Sequence, residues 1–240
     1  MEFAESGTTT TTSDDGTSLL EPQQDLVADQ ALADEAILAA ADLGPGWTSV
    51  PSEDNSPEDD ALMAELAEAA PECDKLAAAD DLSDGLDLLP DAPVRADSDT
   101  LAQGAVEVEN AIMVFPSADA LASRLDAMAS LGLAECLRVV FAESIQVGLQ
   151  EDPEAPDITI DSVTVSEGDG GFGQPSYFIA LQVEFSVPTG ESASIGIELR
   201  GVAVDRVFTG LTIFTGPFGD ADGAGIVESS VAKVQNALTG

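Results

Sequence analysis

Two cysteines, Cys73 and Cys136, have the most definite chemistry in this chain. Both lie beside segments with helical periodicity, and no Cys-x-x-Cys motif is present, so a redox-catalytic role is not indicated. An even cysteine count favours a disulfide if the chain is exported, whereas two separate thiols buried as small hydrophobic side chains are the alternative. We predict a Cys73–Cys136 disulfide, which would stabilise the fold by about 4 kcal/mol because it closes a long loop.

A second candidate site is the acidic segment Asp220-Ala221-Asp222-Gly223, with Glu228 after it. Carboxylates are calcium ligands, but an EF-hand loop needs a longer series of oxygen ligands before its glycine and a glutamate at a fixed distance beyond it. Both features are missing. Asp222 as the N-cap of a final helix accounts for the same residues. We therefore predict no metal site and no cofactor.

The glycine-rich stretch from Glu167 to Gly173 has the composition of a phosphate-binding loop but not its pattern. A phosphate loop needs a Lys-Ser/Thr pair and the start of a helix, and neither follows here. The stretch is therefore predicted to be a flexible hairpin loop.

The chain has 46 acidic residues, so a pair of carboxylates could in principle serve catalysis. With so many acids some pair always reaches the spacing of a glycosidase, so the count carries no information. The chain has no histidine, which excludes Ser-His-Asp and Cys-His catalysis and His-ligated zinc. Trp47 and Tyr177 are single, and Trp47 is predicted to anchor the core rather than to bind a sugar. We predict that the protein is not an enzyme.

Charge limits the partners that this 240-residue chain can bind. Only 7 basic residues oppose the 46 acids, for a formal net charge of -39. Nucleic acid and anionic lipid attract clustered basic residues, so neither is an expected partner. Such acidity favours a saline habitat, because molar salt shortens the Debye length to about 3 Å and weakens repulsion between carboxylates. An acidic tail on an ordinary domain is the alternative, but residues 1–100 and 101–240 are both acidic.

The first 24 residues contain a threonine run and no apolar period, and we predict a disordered tether over 1–24. The start lacks the basic residues and apolar run of a signal peptide, and no apolar stretch is long enough for a membrane helix. A Thr/Ser/Gly/Asp leader follows the acylated cysteine of many bacterial lipoproteins, but that cysteine is absent. Membrane attachment is thus expected only through an N-terminal lipid anchor that this chain does not contain.

Residues 25–240 are predicted to form a single domain with two portions. The first, 25–100, is acidic and helical, with helices at 25–43 and 57–70 and a solvated excursion at 80–99. Each helix shows apolar residues at steps of three and four, and Gly or Pro marks its end.

The second portion, 101–240, forms the sheet. Alternation predicts a strand over 104–115, two helices then extend to about residue 149, and strands follow over 157–215 with a bulge near Asp161-Ser162. A helix closes the chain. Sequential hairpins require antiparallel pairing, so we predict an α+β fold: a mostly antiparallel sheet of about five strands, packed against helices as a two-layer sandwich.

Three segments resemble actinobacterial secreted lipoproteins. They are ILAAADLGPGWTSV (37–50), AIMVFPSADALASRLDAM (111–128), and the end of the chain from VAVDRVFTGLTIFTGP to GIVESSVAKVQNAL. Together they are similar in layout to the extracellular sensor-type domain of some mycobacterial serine/threonine kinases and to related stand-alone lipoproteins. The resemblance implies a domain located at the cell envelope, and it assigns no functional residue.

We therefore expect an exported, non-enzymatic, sensor-like domain that binds an unknown small molecule or envelope protein. The sequence assigns no binding residues. Two alternatives stay open: a structural or interaction protein of the envelope without a small-molecule site, and a carboxylate-based hydrolase.

Overall fold

The computed structural model describes residues 21–51, 70, 73, 94–129, 132–151, 159–169, 171–172, 174–186 and 191–240. Within these residues the chain forms four α-helices and eight β-strands. The helices are α1 (Glu21–Ala36), α2 (Ala118–Ala129), α3 (Leu133–Glu151) and α4 (Gly223–Thr239), and a short 3-10 helix covers Ala40–Asp42. The strands are β1 (Thr48–Val50), β2 (Val94–Asp97), β3 (Thr100–Gln103), β4 (Val106–Val114), β5 (Thr159–Gly168), β6 (Ser176–Ser186), β7 (Ser192–Val204) and β8 (Val207–Thr215).

The strands form one antiparallel sheet in the order β1-β3-β4-β8-β7-β6-β5, and β2 pairs with β4 beside β3. Between β2 and β3, the Ser98 amide donates to the Asn110 carbonyl, and the Ser98 hydroxyl accepts from the Asn110 amide at 2.9 Å. β2 and β3 therefore pair along β4 one after the other, like a single strand with one interruption. After β4 the chain forms α2 and α3, and the meander β5 to β8 then returns it to β4, where Val114 lies opposite Val207.

Helices cover both faces of the sheet, as the alternation along β4 demonstrates. Val108, Ile112 and Val114 pack with residues of α1 and α4, whereas Met113 and Phe115 pack with residues of α2. Because successive side chains of a strand point to opposite faces, the two sets of helices lie on opposite sides. We name these sides the α1–α4 face and the α2–α3 face.

The α1–α4 face holds a buried polar network centred on Asn110, which is 2% exposed. Its Oδ1 accepts from the Leu38 amide at 3.0 Å, and its Nδ2 donates to Thr209 Oγ1 at 3.0 Å and to the Gly210 carbonyl at 2.9 Å. Thr209 in turn shares a 2.6 Å hydrogen bond with Ser230 of α4. The network is fully paired, so it fixes two helices to the sheet without a free polar group.

Two ion pairs close the edges of the same face. Arg206, in the turn between β7 and β8, contacts Asp29 of α1 at 2.6 Å. Lys233 of α4 pairs with Asp42 of the 3-10 helix. Burial alone would raise the pKa of Asp42, but hydrogen bonds from Lys233 and from the Ala39 amide outweigh it and hold that pKa below its ordinary value.

The α2–α3 face contains two apolar clusters, which we name by a central residue. The Phe208 cluster joins α2 to β4, β7 and β8, and the Cys136 cluster joins α3 to β6 and β7. Cys73 and Cys136 form the predicted disulfide, with Cα atoms 4.7 Å apart. The bridge fixes the beginning of α3 to the chain segment around Cys73.

The predicted α+β class and the antiparallel sheet are confirmed, but the predictions of about five strands and of two layers are wrong. Eight strands are present in the described ranges, because β1, β2 and β3 are short pieces that alternation does not reveal. Helices on both faces make three layers. The apolar outward positions of β4 and β8, Met113 and Phe208, require this second cover.

Several boundaries also differ from the prediction. The helix expected at 25–43 ends at Ala36, and the 3-10 helix follows it. It begins at Glu21, inside the segment predicted as a tether, whose residues 1–20 lie outside the described ones. The predicted helix at 57–70 falls almost entirely outside them, and the end of the predicted excursion at 80–99 is strand β2. The predicted bulge near Asp161 is confirmed by a register shift between Ile160 and Ser162.

Candidate functional site

A groove of about 530 Å³ lies on the α2–α3 face, where the end of α2 and the start of α3 pass over β5 and β6. Its volume falls in the range of small-molecule sites, roughly 300–1,000 Å³. The lining is mainly apolar and comes from both helices and from β6, with Leu125, Met128, Leu133, Tyr177 and Ile179 as its larger side chains. The groove is therefore built from elements of the core rather than from surface loops.

Tyr177, which lines this groove, is stacked on the buried ring of Phe208, which is not among the lining residues. The ring centroids of Tyr177 and Phe208 lie 5.9 Å apart with an interplanar angle of 15°. Phe208 is buried, whereas Tyr177 is half-buried, lines the groove and packs against both apolar clusters of this face. An offset stack of this kind stabilises by about 0.5–1.5 kcal/mol beyond the area that it buries.

Glycines in the central strands make room for the stack. Gly201 lies directly opposite Tyr177 in the β6–β7 register. A Cβ atom at Gly201 would lie 2.3 Å from Tyr177 Cε1 and 2.4 Å from Phe208 Cζ, so only a hydrogen atom fits. The neighbouring Gly210 is less crowded, with Phe208 Cε1 at 3.2 Å from such a Cβ. Glycine inside a strand often marks a close approach, which is the signal that could have identified this site from the sequence.

The Tyr177 hydroxyl has no hydrogen-bond partner among the residues that the structure describes. Every buried polar side-chain atom in that part of the chain is paired, so the hydroxyl is accessible rather than enclosed. Burial of the ring raises the pKa of Tyr177 above its ordinary value. The phenol therefore stays protonated at neutral and mildly alkaline pH and can donate a hydrogen bond to a molecule in the groove.

The remaining polar groups of the lining are two carboxylates and one serine. Asp126 of α2 and Glu167 of β5 are exposed and form no ion pair with a described residue. The Ser176 hydroxyl donates to the Asp169 carbonyl, so its proton is already committed. No lysine or arginine is among the described residues that line the groove. The groove thus combines an apolar base, one free hydroxyl and negative charge, an arrangement suited to binding.

The disulfide lies next to this groove. Leu133 and Ala134, from the first turn of α3, belong both to the groove lining and to the Cys136 cluster. Cys136 comes directly after this turn, and its amide donates to the carbonyl of Gly132, which also lines the groove. The bridge predicted from the sequence therefore holds one wall of the groove in place.

A second, smaller groove of about 300 Å³ lies beside α4 and is lined by Trp47, Gln103, Asp220 and Asp222 among others. Trp47 packs against the core of the α1–α4 face, as predicted, and also forms a wall of this groove. The single tryptophan and the single tyrosine of the chain therefore lie in different grooves.

The acidic segment at 220–223 has the structural role that the N-cap alternative gave it. The Asp222 carboxylate accepts a hydrogen bond from the Gly225 amide at 3.0 Å, which caps α4. Within the described ranges, no group of three or more metal-ligating side chains occurs. The predicted hairpin loop at 167–173 begins inside β5, whose last residues are Glu167 and Gly168, and β5 pairs antiparallel with β6, the next strand, as a hairpin requires.

None of the helices in the described part of the chain is long and apolar enough to cross a membrane.

No family model and no curated protein matches the chain. Among solved structures, the chain is similar to the extracellular domain of PknH from Mycobacterium tuberculosis, with 12% sequence identity and a TM-score of 0.42, over 88% of this chain and 97% of that one.

Proposed function

We propose that this protein is a non-enzymatic binding domain of the bacterial cell envelope, and that the groove between α2, α3 and β6 is its ligand site. The groove has the volume and apolar lining of a small-molecule site. Its ligand would be a small, largely apolar molecule that accepts a hydrogen bond. Binding would report the presence of that molecule, as in a sensor.

The unpartnered Tyr177 hydroxyl carries this proposal. The Tyr177 ring is fixed by its stack on Phe208, and Gly201 leaves room for both rings. Its hydroxyl is therefore a preorganised hydrogen-bond donor. A buried tyrosine hydroxyl usually pairs within the protein. The Tyr177 hydroxyl is instead accessible at a mainly apolar groove and is paired by no described residue, which supports a ligand as its partner.

The disulfide supports a location outside the cytoplasm. Cys73 and Cys136 are 0% and 1% exposed, so the bridge is an integral part of the Cys136 cluster. Structural disulfides persist in oxidising compartments and are rare in the cytosol. A net charge of -39 is compatible with a protein that functions in strong salt.

The test uses the single tyrosine as a reporter. Protein labelled with fluorotyrosine has one fluorine resonance, and that resonance reports on the large groove alone. A library of small envelope and culture metabolites is screened by thermal shift in a salt series, and each stabilising compound is then titrated against this resonance. The proposal expects a compound that both stabilises the protein and shifts the resonance. Stabilisers that move only Trp47 fluorescence would place binding in the smaller groove and contradict the proposal.

The matched variant is Tyr177→Phe, which keeps the stack and removes only the hydroxyl. Binding should weaken by about 1 kcal/mol, the typical value of one neutral hydrogen bond, and be followed by calorimetry. Unchanged affinity would mean that the hydroxyl is not the ligand's partner.

One observation favours the second candidate, an envelope interaction protein. Phe218 is 87% exposed and has φ of +64°, in a turn closed by a 3.0 Å hydrogen bond from the Gly219 amide to the Gly216 carbonyl. Side chains other than glycine are disfavoured at this φ, and a strained, exposed aromatic residue is typical of an interface anchor. The partner would be a protein that accepts this ring.

A photo-crosslinking amino acid at position 218 tests this candidate, with position 27 as the control because Val27 is also exposed. A discrete adduct from position 218 alone is expected in intact cells. Phe218→Gly removes the ring and also the backbone strain, so it should abolish the association while stability changes by less than about 1 kcal/mol. An association that survives Phe218→Gly would contradict this role.

A further inference from the structure

The charge of the groove lining indicates the class of ligand. We propose that the groove selects an organic cation with an apolar body, such as an alkylammonium, over neutral and anionic molecules of the same shape. This inference rests on the proposed ligand site and adds the sign of the ligand's charge. It is carried by the presence of Asp126 and Glu167 in the lining of a mainly apolar groove.

The two carboxylates come from different elements. Asp126 belongs to α2, which packs on the sheet, and Glu167 lies near the end of β5 at the sheet's edge. Both are exposed, and neither forms an ion pair with a described cation. Arg124, on the same helix as Asp126, is not among the described residues of the lining. A cationic head in the groove would therefore meet negative charge from both the helix and the strand.

The base of the groove suits the rest of such a molecule. Leu125, Met128 and Ile179 offer aliphatic contact, and the Tyr177 ring offers an aromatic face. An ammonium group over an aromatic face gains cation–π attraction, more so when water is excluded. An anion would be repelled by the two carboxylates, since the described residues of the lining include no basic side chain and the chain carries a net charge of -39.

The magnitude of the preference follows from the exposure of the acids. Solvent-exposed ion pairs contribute about 0.2–1 kcal/mol each, so two carboxylates should favour the cation over a neutral analogue about fivefold at low salt. This preference should shrink towards unity as salt is raised, because exposed charges are screened.

The experiment compares three probes with one alkyl chain and different heads: octylammonium, octanol and octanoate. Each is titrated against the fluorotyrosine resonance of Tyr177 at neutral pH over a salt series. Octylammonium should bind about fivefold more tightly than octanol at low salt, and octanoate should bind more weakly than both. The double variant Asp126→Asn/Glu167→Gln should bind octylammonium and octanol equally.

The control variant Glu107→Gln/Glu228→Gln removes the same charge from exposed positions outside the groove. It should keep the cation preference. If octanol binds as tightly as octylammonium, or if the control variant loses the preference as completely as the groove variant does, the inference is overturned while the ligand site stands. If none of the three probes shifts the resonance, both the inference and the ligand site are contradicted.

Discussion

The two faces of the sheet are covered in different ways. On the α1–α4 face, helices and sheet are joined by close packing, by the Asn110 network and by two ion pairs. On the α2–α3 face, the contact is divided into two clusters, and the groove lies at their boundary. A covalent bridge holds the helix that forms one groove wall.

The two faces therefore have different roles: the α1–α4 face contributes mainly stability, and the α2–α3 face contains the candidate binding site. The α1–α4 face carries the smaller groove beside α4, but its buried polar groups in the described ranges are all paired, and its Asn110 network ties α4 to the sheet. The α2–α3 face leaves a hydroxyl accessible and a volume unfilled. The groove lacks packing contacts across it, and we attribute the fixed position of its α3 wall to the disulfide at Cys136.

The largest effect is expected from removing the disulfide. The variant Cys73→Ala/Cys136→Ala should lose about 4 kcal/mol of unfolding free energy, because the unfolded chain gains the freedom of a long loop. Urea denaturation measures the loss, and the fluorotyrosine resonance should broaden or shift as the groove wall loosens. Reduced wild-type protein is the control and should behave like the variant. A variant as stable as the oxidised protein would mean that packing alone holds this face.

The second prediction compares two positions on α2. Leu121 is 0% exposed within the Phe208 cluster, and Leu121→Ala should cost about 3 kcal/mol because it leaves a cavity in close packing. Met128 belongs to the same cluster but is 9% exposed and also lines the groove, so Met128→Ala should cost less, about 2 kcal/mol. Denaturant midpoints of the two variants check the difference. Equal losses would show that the groove is packed as tightly as the cluster.

The third prediction concerns the space for the aromatic stack. Gly201→Ala should cost about 2 kcal/mol, because the added methyl overlaps the rings of both Tyr177 and Phe208. Gly210→Ala is the matched control and should cost less than about 1 kcal/mol, since its nearest ring atom can yield by a few tenths of an ångström. Thermal unfolding ranks the pair, and near-ultraviolet circular dichroism reports the tyrosine environment. The reverse ranking would contradict the stacked geometry.

The smallest effect is expected at alkaline pH. The pKa of Tyr177 is raised by burial, so the folded state keeps a proton that the unfolded state loses above about pH 10. Stability should be unaffected below that pH and should decline as pH rises beyond it, because the unfolded state then binds fewer protons. Phenolate absorbance should appear only together with unfolding, and Tyr177→Phe should remove this contribution to the decline. Phenolate formation near pH 10 in folded protein would mean that the ring is solvated.

The sequence predicted the elements whose apolar residues recur at a regular spacing and whose ends are marked by capping or turn residues. The β6 alternation, the α4 stripe capped by Asp222 and the β5 bulge all depend on neighbours along the chain, and all are present. The three short strands β1, β2 and β3 escaped prediction because each gains its hydrogen bonds only from a distant partner.

Of the candidate site, the sequence indicated the disulfide but neither the role of Tyr177 nor the groove. Gly201 and Phe208 lie far along the chain from Tyr177, and only the β6–β7–β8 register brings them together. Asn110 was likewise missed, although a polar residue in a row of core-facing valines and isoleucine was a usable signal. Asp126 and Glu167 could not be distinguished from 44 other acids without their positions.

The sequence by itself determined the composition-based properties of this protein: strong negative charge, no histidine chemistry, one possible disulfide, and a chain whose second half prefers antiparallel strands. These follow from counts and from periods of two and of three to four, which local backbone geometry alone imposes. Only the tertiary structure decided that both faces are covered, that the larger groove lies on the α2–α3 face, and that no described residue pairs with the tyrosine hydroxyl in it. Those outcomes depend on contacts between residues far apart in the chain, and local patterns do not encode such contacts.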